Sequence, residues 1–278
     1  MGNCKYCSEP AGFLKEKHAA CEAAYNAGWG EMVSTARSAL DSSSLSGLQQ
    51  RLADIATSHR VPKELIRSAL VLAWTSTVDT ALSDQLLTKE EESALGAFLH
   101  EFALSQQEVD REGAFMRLVK AAILRDIMEG RIPDRVQVEG DLPFDFQKSE
   151  SLIWLFNAVD YFETRAHTQY VGGSAGESIR IAQGVYFRTG AFTGEPVQTS
   201  QAVHLGQGPL AVTNKNLYFS GNQKSVRIPY AKIVAFRQFS DGIGVQRDGA
   251  SAKPQTFRTG DGWFTYNLVA NAARLSAS

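Results

Sequence analysis

GPLAVTNKNLYFSGNQKSVRIPYAKIVAFRQFSDGIGVQRDGASAKPQTF, residues 208–257, reads as one strand after another with a turn signal between each pair. Ala211-Val212 leads into a turn at Thr213-Asn214-Lys215, and Leu217-Tyr218-Phe219 is a short strand closed by Ser220-Gly221-Asn222. Val226 to Phe239 reads as one longer strand, which Asp241-Gly242 turns into Ile243-Gly244-Val245. Asp248-Gly249 turns again before Thr256-Phe257. Aspartate-glycine pairs supply the positive φ of tight hairpins, and the β-branched and aromatic residues between them suit a half-buried pleat. A helical stretch, Asp261 to Leu275, follows. Working upstream, Ser178 to Arg188 alternates apolar and polar residues, and Leu152 to Arg165 is rich in aromatic and β-branched residues, so both are predicted strands. Strands closed by one C-terminal helix predict a small curled sheet with a plug, starting near Leu142.

The pattern G-x-L-x-V-T-N-K-x-L-Y-F followed by R-I-P-Y-x-K-I-V resembles the GRAM and bacterial PH-like families. The matching residues are Leu210, Thr213, Asn214, Lys215, Leu217, Phe219, Ile228, Pro229, Tyr230 and Ile233. The resemblance implies an antiparallel β-barrel or sandwich closed by a C-terminal helix over residues 142–278. It also implies binding of lipid head groups, peptides or other domains. Charge fits an anionic partner and fits equally well a scaffold whose two halves attract each other: residues 171–278 carry 11 Lys+Arg against 5 Asp+Glu, while residues 1–170 hold the other 17 against 25. Arg180, Lys224, Arg227 and Lys232 are the candidate anion-binding surface, because loops held by a rigid sheet carry recognition.

All three cysteines lie in the first 21 residues, with the spacing Cys4-x2-Cys7-x10-His18-x2-Cys21. Two cysteines two residues apart converge their thiolates on one ion, and His18 and Cys21, three apart, share a face of one helical turn. The four are expected to hold a structural zinc ion in a closed tetrahedral site, with Gly12-Phe13-Leu14 packing apolar groups beneath it. Residues 1–28 resemble a short treble-clef or zinc-ribbon finger. Such fingers often bind nucleic acid, and Lys5, Lys15 and Lys17 are basic, but no basic stripe continues beyond them.

From Ala19 to Arg131 the period becomes helical. Leu45, Leu48, Leu52 and Ile55 form one apolar face, after a linker of Asp41-Ser42-Ser43-Ser44 that ends in a cap. Pro62 opens a helix running to about Leu82, Thr88-x-x-Glu91 is a capping box, and Gly130 and Pro133 stop a helix carrying Phe115, Leu118 and Ile123. Residues 29–141 are thus a predicted helical bundle. LSDQLLTKEEESAL, from Leu82, resembles the helix junction of TerB-like domains, whose acidic residues are linked to divalent cations. Here Asp84 precedes Gln85 rather than glycine, and Asp79 and Asp84 read equally as acids at helix ends.

The expected architecture is therefore α+β and multidomain: a Cys3His zinc finger, a helical bundle and a PH-like β domain. Gly172-x-Ser174-x-Gly176 fits a hydrolase nucleophile pattern within a loop from Tyr170 to Gly176, but a strand rather than a helix follows it, and no catalytic residue is assigned. No apolar run is long enough for a membrane span, and the first residues lack the apolar core of a secretory signal, so a cytoplasmic location is expected. The chain reads as a zinc-stabilised adaptor binding a protein, an acidic peptide or an anionic lipid. A nucleic-acid-binding zinc protein and an unrecognised enzyme are the alternatives. Together, the PH-like and TerB-like resemblances imply a bacterial or phage stress or defence setting.

Overall fold

The computed structural model describes residues 2–84, 86–110, 112–138, 140–171, 177–182, 185–189 and 195–277. The chain divides into two compact units, Met1–Glu129 and Gly130–Ser278.

The first unit begins with a two-stranded hairpin, β1 (Gly2–Asn3) and β2 (Pro10–Gly12), followed by the long helix α1 (Ala19–Asp41). The predicted boundary between residues 28 and 29 falls inside α1, which carries finger and bundle on one continuous rod. Then come α2 (Leu48–Ser58), a 3-10 turn Lys63–Leu65, α3 (Ile66–Ala81), α4 (Lys89–Glu101), α5 (Gln106–Val109) and α6 (Ala114–Met128). Their shared core holds Met32, Leu48, Leu52, Trp74, Leu95 and Phe98, all fully buried. The buried Trp74 indole N–H donates to the Leu95 carbonyl at 3.1 Å, so the one polar atom of that ring is satisfied.

Local chemistry sets the helix ends. Thr88 and Glu91 form the predicted capping box, and Ser105 with Glu108 forms a second one that opens α5. The start of α2 differs from expectation. Its cap is Gly47, in the left-handed region at φ 67°, rather than the serine run, because Ser43 is used to end α1. α1, α2 and α4 all finish in the same way, with a left-handed residue just past the cap and the following amide bonded back into the helix. Those three residues are Ser43, Arg60 and Ala103.

The second unit opens without regular structure, although Phe144 and Phe146 pack their rings on Tyr218 at 5.9 and 5.3 Å. The unit thus starts at Gly130, ahead of the predicted Leu142. Its strands are β3 (Leu152–Val171), β4 (Glu177–Ala182), β5 (Val185–Thr189), β6 (Glu195–Thr213), β7 (Asn216–Ser220), β8 (Ser225–Pro229), β9 (Ile233–Gln238), β10 (Gly242–Arg247) and β11 (Gln255–Arg258). The C-terminal helix α7 (Gly262–Ala277) follows. Seven strands form one antiparallel sheet in the order β8-β7-β6-β3-β11-β10-β9, while β4 and β5 pair separately. Tyr170 and Val171 still belong to β3, and residues 172–176, with the hydrolase-like pattern, lie outside the described residues.

The sheet curls around α7, which touches β6 as well as the far strands β9 and β10. The expected barrel or sandwich is therefore a half-barrel with a helical plug. Three register shifts along β3 add local twist, which lets so long a strand bend. Phe264, Leu268 and Ala272, four residues apart on α7, are fully buried, as is Val269. Trp154 meets Phe264 edge-on at 5.1 Å.

One strand prediction fails. Val226 to Phe239 is not continuous: β8 stops at Pro229, a 3-10 turn covers Tyr230–Lys232, and β9 begins at Ile233. Pro229 has no N–H to extend a ladder, and Tyr230 turns inward to donate its hydroxyl to the Thr213 carbonyl at 2.8 Å.

Candidate metal centre and basic edge

The first turn of the chain is built to hold thiolates. Ser8 N–H bonds the Cys4 carbonyl at 2.8 Å, closing a loop over Cys4–Ser8, and Ser8 takes a left-handed φ of 63° to do so. Lys5 N–H reaches the Glu16 carbonyl at 2.9 Å, drawing the far side of the finger inward. His18 is the N-terminal cap residue of α1, and Cys21 lies in its first turn. The ligating atoms of Cys4, Cys7, His18 and Cys21 lie within 4.8 Å of one another.

The arrangement fits a tetrahedral metal. Ideal zinc–sulfur and zinc–nitrogen lengths place a sulfur and a nitrogen ligand about 3.6 Å apart. His18 Nδ1 lies 3.5 Å from Cys7 Sγ and 3.7 Å from Cys21 Sγ. His18 Nε2 lies 3.1 Å from the Pro10 carbonyl, so that nitrogen carries the proton and Nδ1 presents its lone pair to the sulfurs.

Electrostatics favour charge on Cys4. Burial pushes its thiol up, but the backbone amides of His18, Tyr6 and Cys7 outweigh burial and lower it to about 6. The His18 amide contact is 3.4 Å. Burial moves Cys21 the other way, helped by its neighbours Cys7 and Cys4. A bound dication would remove that conflict by ionising all three thiols.

The predicted apolar packing under the site is corrected. Phe13 and Leu14 are 84% and 89% exposed, because Gly12 at φ 97° and Leu14 at φ 56° turn the chain outward. Ala11, Tyr6 and Cys7 pack against Cys4 and Cys21 instead, and Tyr6 stacks on Tyr25 of α1 at 4.8 Å. A further neighbour, invisible in the ligand spacing, is Arg60, whose guanidinium donates to Cys21 Sγ at 3.3 Å.

Asp79 and Asp84 belong to no cluster of metal-ligating side chains among the described residues. Asp79 pairs with Arg117 at 2.5 Å, and Asp84 accepts the Leu86 amide at 3.0 Å. Among the described residues the Cys/His cluster is the one group of this kind.

In the second unit, Lys224, Arg227 and Lys232 are exposed. Lys224 sits in the β7–β8 turn, Arg227 on β8 opposite Tyr218, and Lys232 in the 3-10 turn beyond β8. They run along one edge strand and both its ends rather than closing on a point. Arg180 lies on β4 opposite Tyr186, and its side chain is outside the described residues.

The Thr213-Asn214-Lys215 turn, which carries the family resemblance, is a knot of internal bonds. Glu150 accepts from Thr213 Oγ1 at 3.0 Å, from the Tyr218 hydroxyl and the Gln147 amide at 2.6 Å each, and from Asn216 Nδ2. Asn214 and Ser151 exchange two bonds, and Lys215 Nζ donates to Ser149 Oγ at 2.8 Å. Burial raises the Glu150 carboxyl, but its donors Tyr218, Asn216, Gln147 and Thr213 prevail and hold it below the usual carboxylate range. Sequence reasoning named the turn and missed Glu150, which sits in an unremarkable Lys-Ser-Glu stretch.

Family models, curated proteins and solved structures give no match to this chain.

Proposed function

We propose that this chain is a zinc-stabilised, non-enzymatic interaction protein whose β unit engages an acidic segment of a partner protein along the β8 edge. The observation that carries this reading is the line of exposed cations Lys224, Arg227 and Lys232 on that edge. Cations strung along an extended strand suit an extended acidic chain better than a single compact anion, and each contact is charge-assisted and weakened by salt. The strand order and closing helix support the PH-like reading of residues 142–278. The TerB-like reading of α1–α6 rests on the sequence resemblance, as does the bacterial or phage stress or defence setting.

Zinc is the metal that three thiolates and an imidazole suit best. Four protein ligands leave no open position for chemistry, so the ion would act on folding. In isolated zinc-finger peptides that contribution is about 10–16 kcal/mol.

The test compares the unchanged chain with the triple variant Lys224→Glu, Arg227→Glu, Lys232→Glu. Both are titrated with a poly-glutamate peptide, phosphatidylserine vesicles and duplex DNA at two salt concentrations. Salt-sensitive peptide binding that the variant loses supports the reading. Peptide binding left intact by the variant, or binding to vesicles or DNA alone, overturns it.

A further inference from the structure

We infer that Arg60 is a positioning residue of the metal centre: its guanidinium holds the Cys21 sulfur and balances the surplus charge of a three-thiolate site, tying that site to the end of α2. The inference rests on the metal reading proposed above.

Three observations converge on it. The first is charge. A dication with three thiolates and a neutral imidazole leaves one net negative charge, and Arg60 places a permanent cation 3.3 Å from one of the sulfurs. The second is backbone conformation. Arg60 is the residue just past the α2 cap, with φ 57°, and the Val61 amide bonds the Ala56 carbonyl at 2.8 Å. Glycine takes that position with least strain, so an arginine there holds its side chain at a conformational cost. The third is docking. His59, beside it, packs against Gly28 so closely that a Cβ at Gly28 would stand 2.2 Å from the His59 Cβ. His59 Nδ1 also lies 3.2 Å from the Ala24 carbonyl of α1. The turn His59-Arg60-Val61 is thereby seated on α1 two turns beyond Cys21, with the guanidinium pointed back at the sulfur.

Ser43 and Ala103 share the left-handed cap geometry without any thiolate to reach, which makes them internal controls. In each, glycine relieves the same strain. The experiment loads the full chain with zinc and measures retention against a competing chelator for the unchanged chain, Arg60→Gly, Arg60→Lys, Ser43→Gly and Ala103→Gly. Arg60→Gly should fold at least as well as the unchanged chain by circular dichroism, yet bind zinc about 10–100-fold more weakly, the usual effect of losing a partner of a metal ligand. Arg60→Lys keeps the charge and should recover part of the affinity, whereas Ser43→Gly and Ala103→Gly should leave it unchanged. If the unchanged chain holds zinc and Arg60→Gly holds it within twofold as tightly, the role of Arg60 is overturned while the metal reading stands. If the unchanged chain takes up no zinc, the metal reading fails and the role of Arg60 with it.

Discussion

Cys21 and Glu150 show how differently two residues can be read from sequence. Cys21 is legible because metal ligands must be near one another, and a short segment leaves little freedom in their spacing; His18 and Cys21 are three residues apart. Substituting Cys7→Ser or Cys21→Ser should remove most of a stoichiometric zinc, measured by elemental analysis of the purified chain; full zinc content in either variant would refute the ligand set. Glu150 is illegible because three of its four donors, Thr213, Asn216 and Tyr218, lie 63–68 positions away, and its one local donor, the Gln147 amide, leaves no mark in the residue types. Glu150→Gln should destabilise the β unit by about 1.5–3 kcal/mol, the range for a hydrogen-bonded charged group, read from urea midpoints. The pH dependence has a definite sign. The folded carboxyl is held below its unfolded value, so its contribution is present in full above about pH 4.3 and is lost as pH falls through the lower folded value. The Gln variant should therefore show a shallower loss of stability below that pH; parallel curves for the two proteins would refute it.

At the scale of elements, turns and caps were the most legible features. Asp248-Gly249 turns a hairpin where expected, with Gly249 at φ 114°, and Thr88-x-x-Glu91 caps α4, because each depends on a few neighbouring residues; the β9–β10 hairpin turns on Ser240-Asp241 instead, and Gly242 already opens β10 without a positive φ. Thr88→Ala should lower stability by about 1 kcal/mol, seen as a lower melting temperature of the helical unit; no change would mean that the cap bonds are replaced by water at no cost. The break at Pro229 is hidden because β-branched and aromatic residues continue on both sides of it, and only the buried Tyr230 hydroxyl shows why the chain must turn. Gly47 is hidden as a cap because Ser42-Ser43-Ser44 fit the local preference better, and those serines are taken up in ending α1. The basic edge was legible as composition. Its distribution along β8 was not, since that follows from where the strand ends.

For the whole molecule, composition gave two charge regimes and the period gave a helical and a β region. The structure places the division between Glu129 and Gly130. Among the described residues, no helix is long and apolar enough to cross a membrane. Chelation should lower the melting transition of residues 1–129 and leave that of residues 130–278 in place, as followed by helical and β-sheet signals in one thermal scan. A common shift of both signals would show that the two units melt together.

The strand order also fixes a sequence of events in time. The Cys/His cluster that could hold a metal is complete by residue 21, so that closure needs only a short loop and can form while most of the chain is still being synthesised. β3 emerges in the middle of the chain but lies between β6 and β11, and its Tyr161 hydroxyl waits for Gln255, 94 residues later, which bonds it at 2.5 Å. Until then one side of β3 offers an open ladder to any passing strand. A nascent chain halted before residue 255 would therefore carry a finished N-terminal unit and a half-sheet prone to pair with its neighbours on the same message.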